Sequence, residues 1–167
     1  MKIKLLILTM IFSFLFSLSL SANDISKVIV PTKHNKELTI SDIAKIQPGL
    51  GVVMMEFGHR FYIVYYAAKA KNWKLAEYEL NELIEAQEVV EITRPKYKDA
   101  LKKFENDYLK RLLSTIKAQN WKNFITIYEL TTKACNSCHI KTGHPYIQYK
   151  LPKTPPLFLD LRAGVEL

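Results

Sequence analysis

Cysteine is scarce in this chain: the 167 residues hold two, Cys135 and Cys138, so every thiol is committed to one place. Long apolar runs are also missing after the first 22 residues, which removes any second candidate for a membrane span. Proline is nearly absent between Pro48 and Pro145, with Pro95 alone interrupting, and that stretch is free to be helical. Charge is not gathered into an arm. The formal excess of +8 is spread along the chain, so it steers toward acidic partners or anionic surfaces and does not indicate nucleic acid.

Residues 1–22 read as an export signal. Lys2 and Lys4 form a positive start, Leu5 to Leu20 carries no charge, and Ser19, Ser21 and Ala22 suit cleavage before Asn23. A run of about 16 residues is short for a span, which needs roughly 20. Membrane contact is expected only if this segment stays uncleaved. Cleavage leaves about 145 residues, enough for one domain with a core, and lowers the formal charge to +6 by removing the two lysines.

The two cysteines belong to Cys135-Asn136-Ser137-Cys138-His139, a C-x-x-C-H run. This is the attachment signature of c-type haem. Positions i, i+3 and i+4 share one helix face, so two sulfurs and one imidazole can meet the same porphyrin. Cys135 and Cys138 would form thioethers, and His139 would be the proximal axial ligand of one covalent haem c. Because that haem is attached outside the cytoplasm, the signal and the motif support each other and point to the periplasm. A thiol–disulfide centre is the competing use of C-x-x-C, but it belongs where a strand enters a helix and needs no adjacent histidine.

Periodicity predicts helices around this motif. Residues 23–47 form an extended lead-in, with Ser41-Asp42 capping a short turn that Pro48 ends. A helix starts near Pro48-Gly49 and carries the stripe Leu50, Met54, Phe57, Phe61, Val64 and Ala68. Asn72 caps a second over about 73–93, with Leu80, Leu83, Gln87 and Val90 along one side and glutamates around the rest. Pro95 precedes a lysine-rich third helix over about 96–118, with Leu101, Phe104, Tyr108, Leu112 and Thr115 inward. Glutamate-rich beside lysine-rich suggests antiparallel neighbours paired across their rims, and exposed pairs of that kind stabilise little. The fourth, about 121–138, runs into the motif and can close at Gly143. Lys69-Ala70-Lys71-Asn72-Trp73-Lys74 is echoed by Lys117-Ala118-Gln119-Asn120-Trp121-Lys122 at the other expected junction. From 144 to 167 the four prolines exclude helix, leaving a tail whose Phe158, Leu159 and Leu161 would pack along the helices or over the haem edge.

Four helices over 48–143 with Cys135–His139 on the last resembles the class II c-type cytochromes, the cytochrome c′-like four-helix bundles. The resemblance implies an all-α antiparallel four-helix bundle with one haem near the end of its last helix, iron held by His139, export to the periplasm, and a protein that is often a homodimer. The chain departs from that family in its longer proline-rich tail and in its lead-in. It also lacks the aromatic and basic pair that commonly follows the histidine.

The sixth coordination position decides function. In an antiparallel arrangement the start of the first helix lies beside the end of the last, which brings forward Met54, Met55 and His59. Methionine and histidine both serve as axial ligands. Met54 lies on the inward stripe, and His59 is about 140° around the helix from it, so a straight helix cannot aim both at one iron. Met54 is the first candidate and His59 the weaker one. His144 is expected near the haem edge, and His34 has no placement. A filled site suits electron transfer between periplasmic redox proteins, whereas an open one admits nitric oxide or carbon monoxide. No second haem motif, copper-ligand cluster or proton relay indicates an enzyme.

Overall fold

The computed structural model describes residues 24–31 and 37–165; the segment 1–22 expected to be an export signal and His34 lie outside them. The chain is mostly helical. Among the described residues no helix is long and apolar enough to cross a membrane. The chain divides into two compact units between residues 47 and 48.

The first unit is more structured than an extended lead-in. A 3-10 turn over Ile25–Lys27 precedes strands β1 (Ile29–Pro31) and β2 (Glu37–Thr39), which pair antiparallel with Val30 opposite Leu38. Helix α1 (Ile40–Lys45) follows directly. Its cap is Thr39, not Ser41: the Thr39 hydroxyl accepts from the Asp42 N–H at 3.0 Å, and the Asp42 carboxylate accepts from the Thr39 N–H at 3.1 Å. This reciprocal capping box satisfies two donors that the first helical turn leaves unpaired.

In the second unit α2 (Leu50–Lys69) and α3 (Trp73–Thr93) form a hairpin. The expected stripe of α2 is buried from Phe57 onward, and Ile63, Tyr66 and Ala67 are buried as well. The extra burial has a source in the tail: Tyr62 and Tyr66 donate their hydroxyl protons to the carbonyl oxygens of Thr154 and Pro152 at 2.7 and 2.9 Å. Arg60 joins α2 to α3 through Glu79 at 2.9 Å and Glu82 at 3.6 Å.

The third helical stretch departs from expectation. A 3-10 turn at Pro95–Tyr97 leads into α4 (Lys98–Phe104), a π turn over Glu105–Leu109, and α5 (Lys110–Lys117). A π turn accommodates one residue more than an α turn. Leu109 and Ile116 are therefore buried where Tyr108 and Thr115 were expected, while Leu112 is buried as expected. Lys102 reaches Glu91 at 3.2 Å and Lys117 reaches Glu77 at 3.6 Å, so the glutamate-rich and lysine-rich helices do pair across their rims.

Helix α6 (Trp121–Lys141) completes the set and runs through the motif. Both echoed segments build the same junction. Lys71 and Gln119 take left-handed backbone at φ 64° and 50°. The following asparagine N–H then closes on the carbonyl five residues back, and its side chain caps the next helix. Six residues thus stop one helix in a Schellman turn and start the next. Gly143, at φ +85°, closes α6 in the same left-handed region.

Candidate functional site

Helix α6 buries Phe124, Tyr128 and Thr131, at intervals of four and three. Continuing that spacing reaches Cys135 and Cys138, so the two thiols extend the inward stripe to the last turns. Both cysteines are free and half-buried. Burial pushes the Cys135 thiol up to about 12, with Cys138 beside it adding to the effect. The thiol is therefore neutral at ordinary pH.

Facing this stripe is α2. Phe61 lies flat on Tyr128 with ring centroids 4.1 Å apart, and Tyr65 meets Trp121 at 5.8 Å. Sequence numbers fall along α2 as they rise along α6, so the helices are antiparallel. The register carries the first turns of α2, with Met54, toward the end of α6 that holds Cys135.

The tail closes the third side. Asn136 accepts from the Tyr149 N–H at 2.7 Å and donates its Nδ2 proton to the Tyr149 carbonyl at 3.1 Å. The Tyr149 ring lies 5.3 Å from Phe61, and its edge would stand 3.9 Å from a Cβ placed on Gly58. The Tyr128 hydroxyl gives its one proton to the Phe61 carbonyl at 3.0 Å, so the 3.0 Å contact between the phenols is donated by Tyr149. Burial raises the Tyr149 phenol to about 12 and pushes Tyr128 higher still. Ionisation of Cys135 would raise both phenols further.

His139 is half-buried on the last turn of α6, and its Nδ1 lies 2.9 Å from the Ile147 carbonyl oxygen. A carbonyl can only accept, so Nδ1 carries the proton, and in the neutral ring Nε2 keeps its lone pair. His144 donates its backbone N–H to the His139 carbonyl at 2.8 Å, and its ring sits edge-on to Tyr146.

The distal candidates separate clearly. Met54 is half-buried and packs against the hydrophobic core, while Met55 is 77% exposed. His59 is exposed, and its ring stacks on Phe158 of the tail at 5.3 Å. Among the described residues no group of three or more His, Cys, Asp or Glu gathers as a metal cage. A porphyrin supplies its own equatorial nitrogens and asks the protein only for axial ones. Cys135, Cys138 and His139 suit that demand: two neutral thiols on one helix face and an imidazole of the required tautomer.

Asn136, Tyr149 and the Ile147 carbonyl are the site groups that motif reading misses. The positions between the two cysteines are unspecified in the signature, and a carbonyl in an irregular tail leaves no mark in sequence. Compared with known proteins, the chain matches no family model, no curated sequence and no solved structure.

Proposed function

We propose that the chain is an exported, single-haem c-type cytochrome. Its four long helical stretches would form an antiparallel bundle that carries electrons between periplasmic redox proteins. The observation that carries this reading is the C-x-x-C-H run at the end of α6, in which His139 donates Nδ1–H to a backbone carbonyl and keeps Nε2 for iron. That is the arrangement in which a ligating histidine is held in tautomer and orientation by its other nitrogen.

Bound haem c supplies one-electron exchange between its ferrous and ferric states. The chain's residues supply the rest. Cys135 and Cys138 would anchor the porphyrin through sulfur, and His139 would supply a nitrogen to its iron. Tyr128 and Tyr149 border the inner thiol and keep water from that side. Met54 is the favoured sixth ligand, since it packs inward on the helix facing α6, whereas His59 is exposed against Phe158. Exposed Ile140, Tyr146 and Ile147 lie near the motif in sequence with exposed Lys141 and Lys150. Apolar contact ringed by positive charge suits brief docking on an acidic redox partner.

The ferrous optical spectrum tests the carrier reading. A filled sixth position predicts no change under carbon monoxide, and Met54→Ala then creates a carbon monoxide-sensitive spectrum. A large shift in the unaltered protein would replace the carrier with a gas-binding, cytochrome c′-like protein.

A further inference from the structure

Asn136 occupies a position the attachment signature leaves free, yet its amide pairs with both backbone groups of Tyr149. That pair of hydrogen bonds fixes Tyr149 in position and in direction. Two residues earlier on the same segment, the Ile147 carbonyl accepts from His139 Nδ1. Asn136 and His139 stand at i, i+3 on α6, so they present to the same side of the helix. The connections close a ring from α6 through Asn136, Tyr149 and Ile147 to His139 and back to α6. Local turns stiffen the far side of that ring: Ile147 N–H donates to the His144 carbonyl at 3.0 Å, and Gln148 donates to the Pro145 carbonyl at 2.9 Å.

We propose that Asn136 is a positioning residue for His139, fixing the segment whose Ile147 carbonyl sets the tautomer and plane of the imidazole. The inference rests on the reading of His139 as the axial ligand. Asn136 touches neither iron nor porphyrin in this scheme; it acts through the tail. Two consequences follow from the hydrogen bond it maintains. The imidazole is held with Nε2 unprotonated, the only neutral form that can bind iron through that nitrogen. An Nδ1–H shared with a carbonyl also makes Nε2 a stronger donor, which favours ferric over ferrous iron and lowers the reduction potential.

Nitrogen NMR of the haem-free full chain, together with the potential of the matured chain, tests this. In the unaltered haem-free chain, above the imidazole pKa, His139 is expected in the Nδ1–H form. Asn136→Ala should release it to the Nε2–H form that free histidine favours, and should raise the potential of haem-loaded protein. Asn136→Ser, too short to span both Tyr149 groups, repeats the test in a second background. Tyr149→Phe keeps both backbone bonds to Asn136 and should leave the tautomer in place. Unchanged tautomer and potential in the Asn136 variants would overturn the proposal. A chain that emerges from maturation without haem would instead sink the cytochrome reading, while the NMR result still reports on the clamp.

Discussion

Tyr128 and Phe61 are joined twice: their rings stack at 4.1 Å with planes 6° apart, and the Tyr128 hydroxyl bonds the Phe61 carbonyl. The pair ties α6 to α2 two helical turns before Cys135, and Tyr149 leans on both. Tyr128→Phe keeps the stack but strands the Tyr149 hydroxyl, a loss of about 1–2 kcal/mol. Tyr128→Ala removes the stack as well and should cost roughly 3–5 kcal/mol. Urea unfolding of the two variants checks the order.

Alkaline stability should follow Cys135, Tyr149 and Tyr128. Each is raised in the folded state, chiefly by burial. Between the unfolded thiol value of about 8.5 and the folded value of about 12, the folded chain holds more protons. Stability therefore falls as pH rises through that window. The denaturation midpoint of haem-free protein should drop steadily above about pH 9, and Cys135→Ala should flatten part of the slope. Haem-loaded protein, whose Cys135 is a thioether, should show the same flattening.

Glu105 predicts the acid limb. Burial pushes its carboxyl up, but hydrogen bonds from Lys110 and Lys102, at 3.0 and 3.1 Å, outweigh that and leave it lowered overall. The stabilisation is present above the unfolded value of about 4.3 and is lost as pH falls through the lower folded one. Glu105→Gln should lower the neutral-pH midpoint and make stability less sensitive to acid, as measured by urea unfolding at pH 7 and pH 3.

Asn72 has two duties. Its Oδ1 caps α3 through the Leu75 N–H, and its Nδ2 donates to the carbonyls of Leu161 and Ala163, each at 3.1 Å. Asn72→Asp keeps the cap and loses the tail; Asn72→Ala loses both, with the cap alone worth about 1 kcal/mol. Limited proteolysis should therefore cut near residues 157–165 faster in both variants, and both should lose unfolding free energy, because Asn72→Asp sets a carboxylate oxygen against two carbonyl oxygens.

Local grammar made much of this architecture legible. Pro48-Gly49, Asn72-Trp73, Pro95 and Asn120-Trp121 mark boundaries that the helices respect, because caps and breakers act within a turn of their own position. The π turn at Glu105–Leu109 escaped because periodicity assumes an unbroken helical repeat, and the inserted residue moved Tyr108 and Thr115 off the core. The β1–β2 pairing escaped because each strand is three residues long, too short for an alternating pattern to be told from chance. In the candidate site, the one helix face shared by Cys135, Cys138 and His139 was legible from their spacing. The Asn136–Tyr149 clamp was not, because it joins residues 13 apart through a segment with no repeat to read.

The central claim is covalent haem on Cys135 and Cys138, and intact mass measures it most directly. The full chain, secreted through an intact cytochrome-assembly system, should gain the mass of one haem. It should lose that gain when both cysteines are replaced by serine. A secreted chain with both thiols free and only the mass of its amino acids would contradict the account.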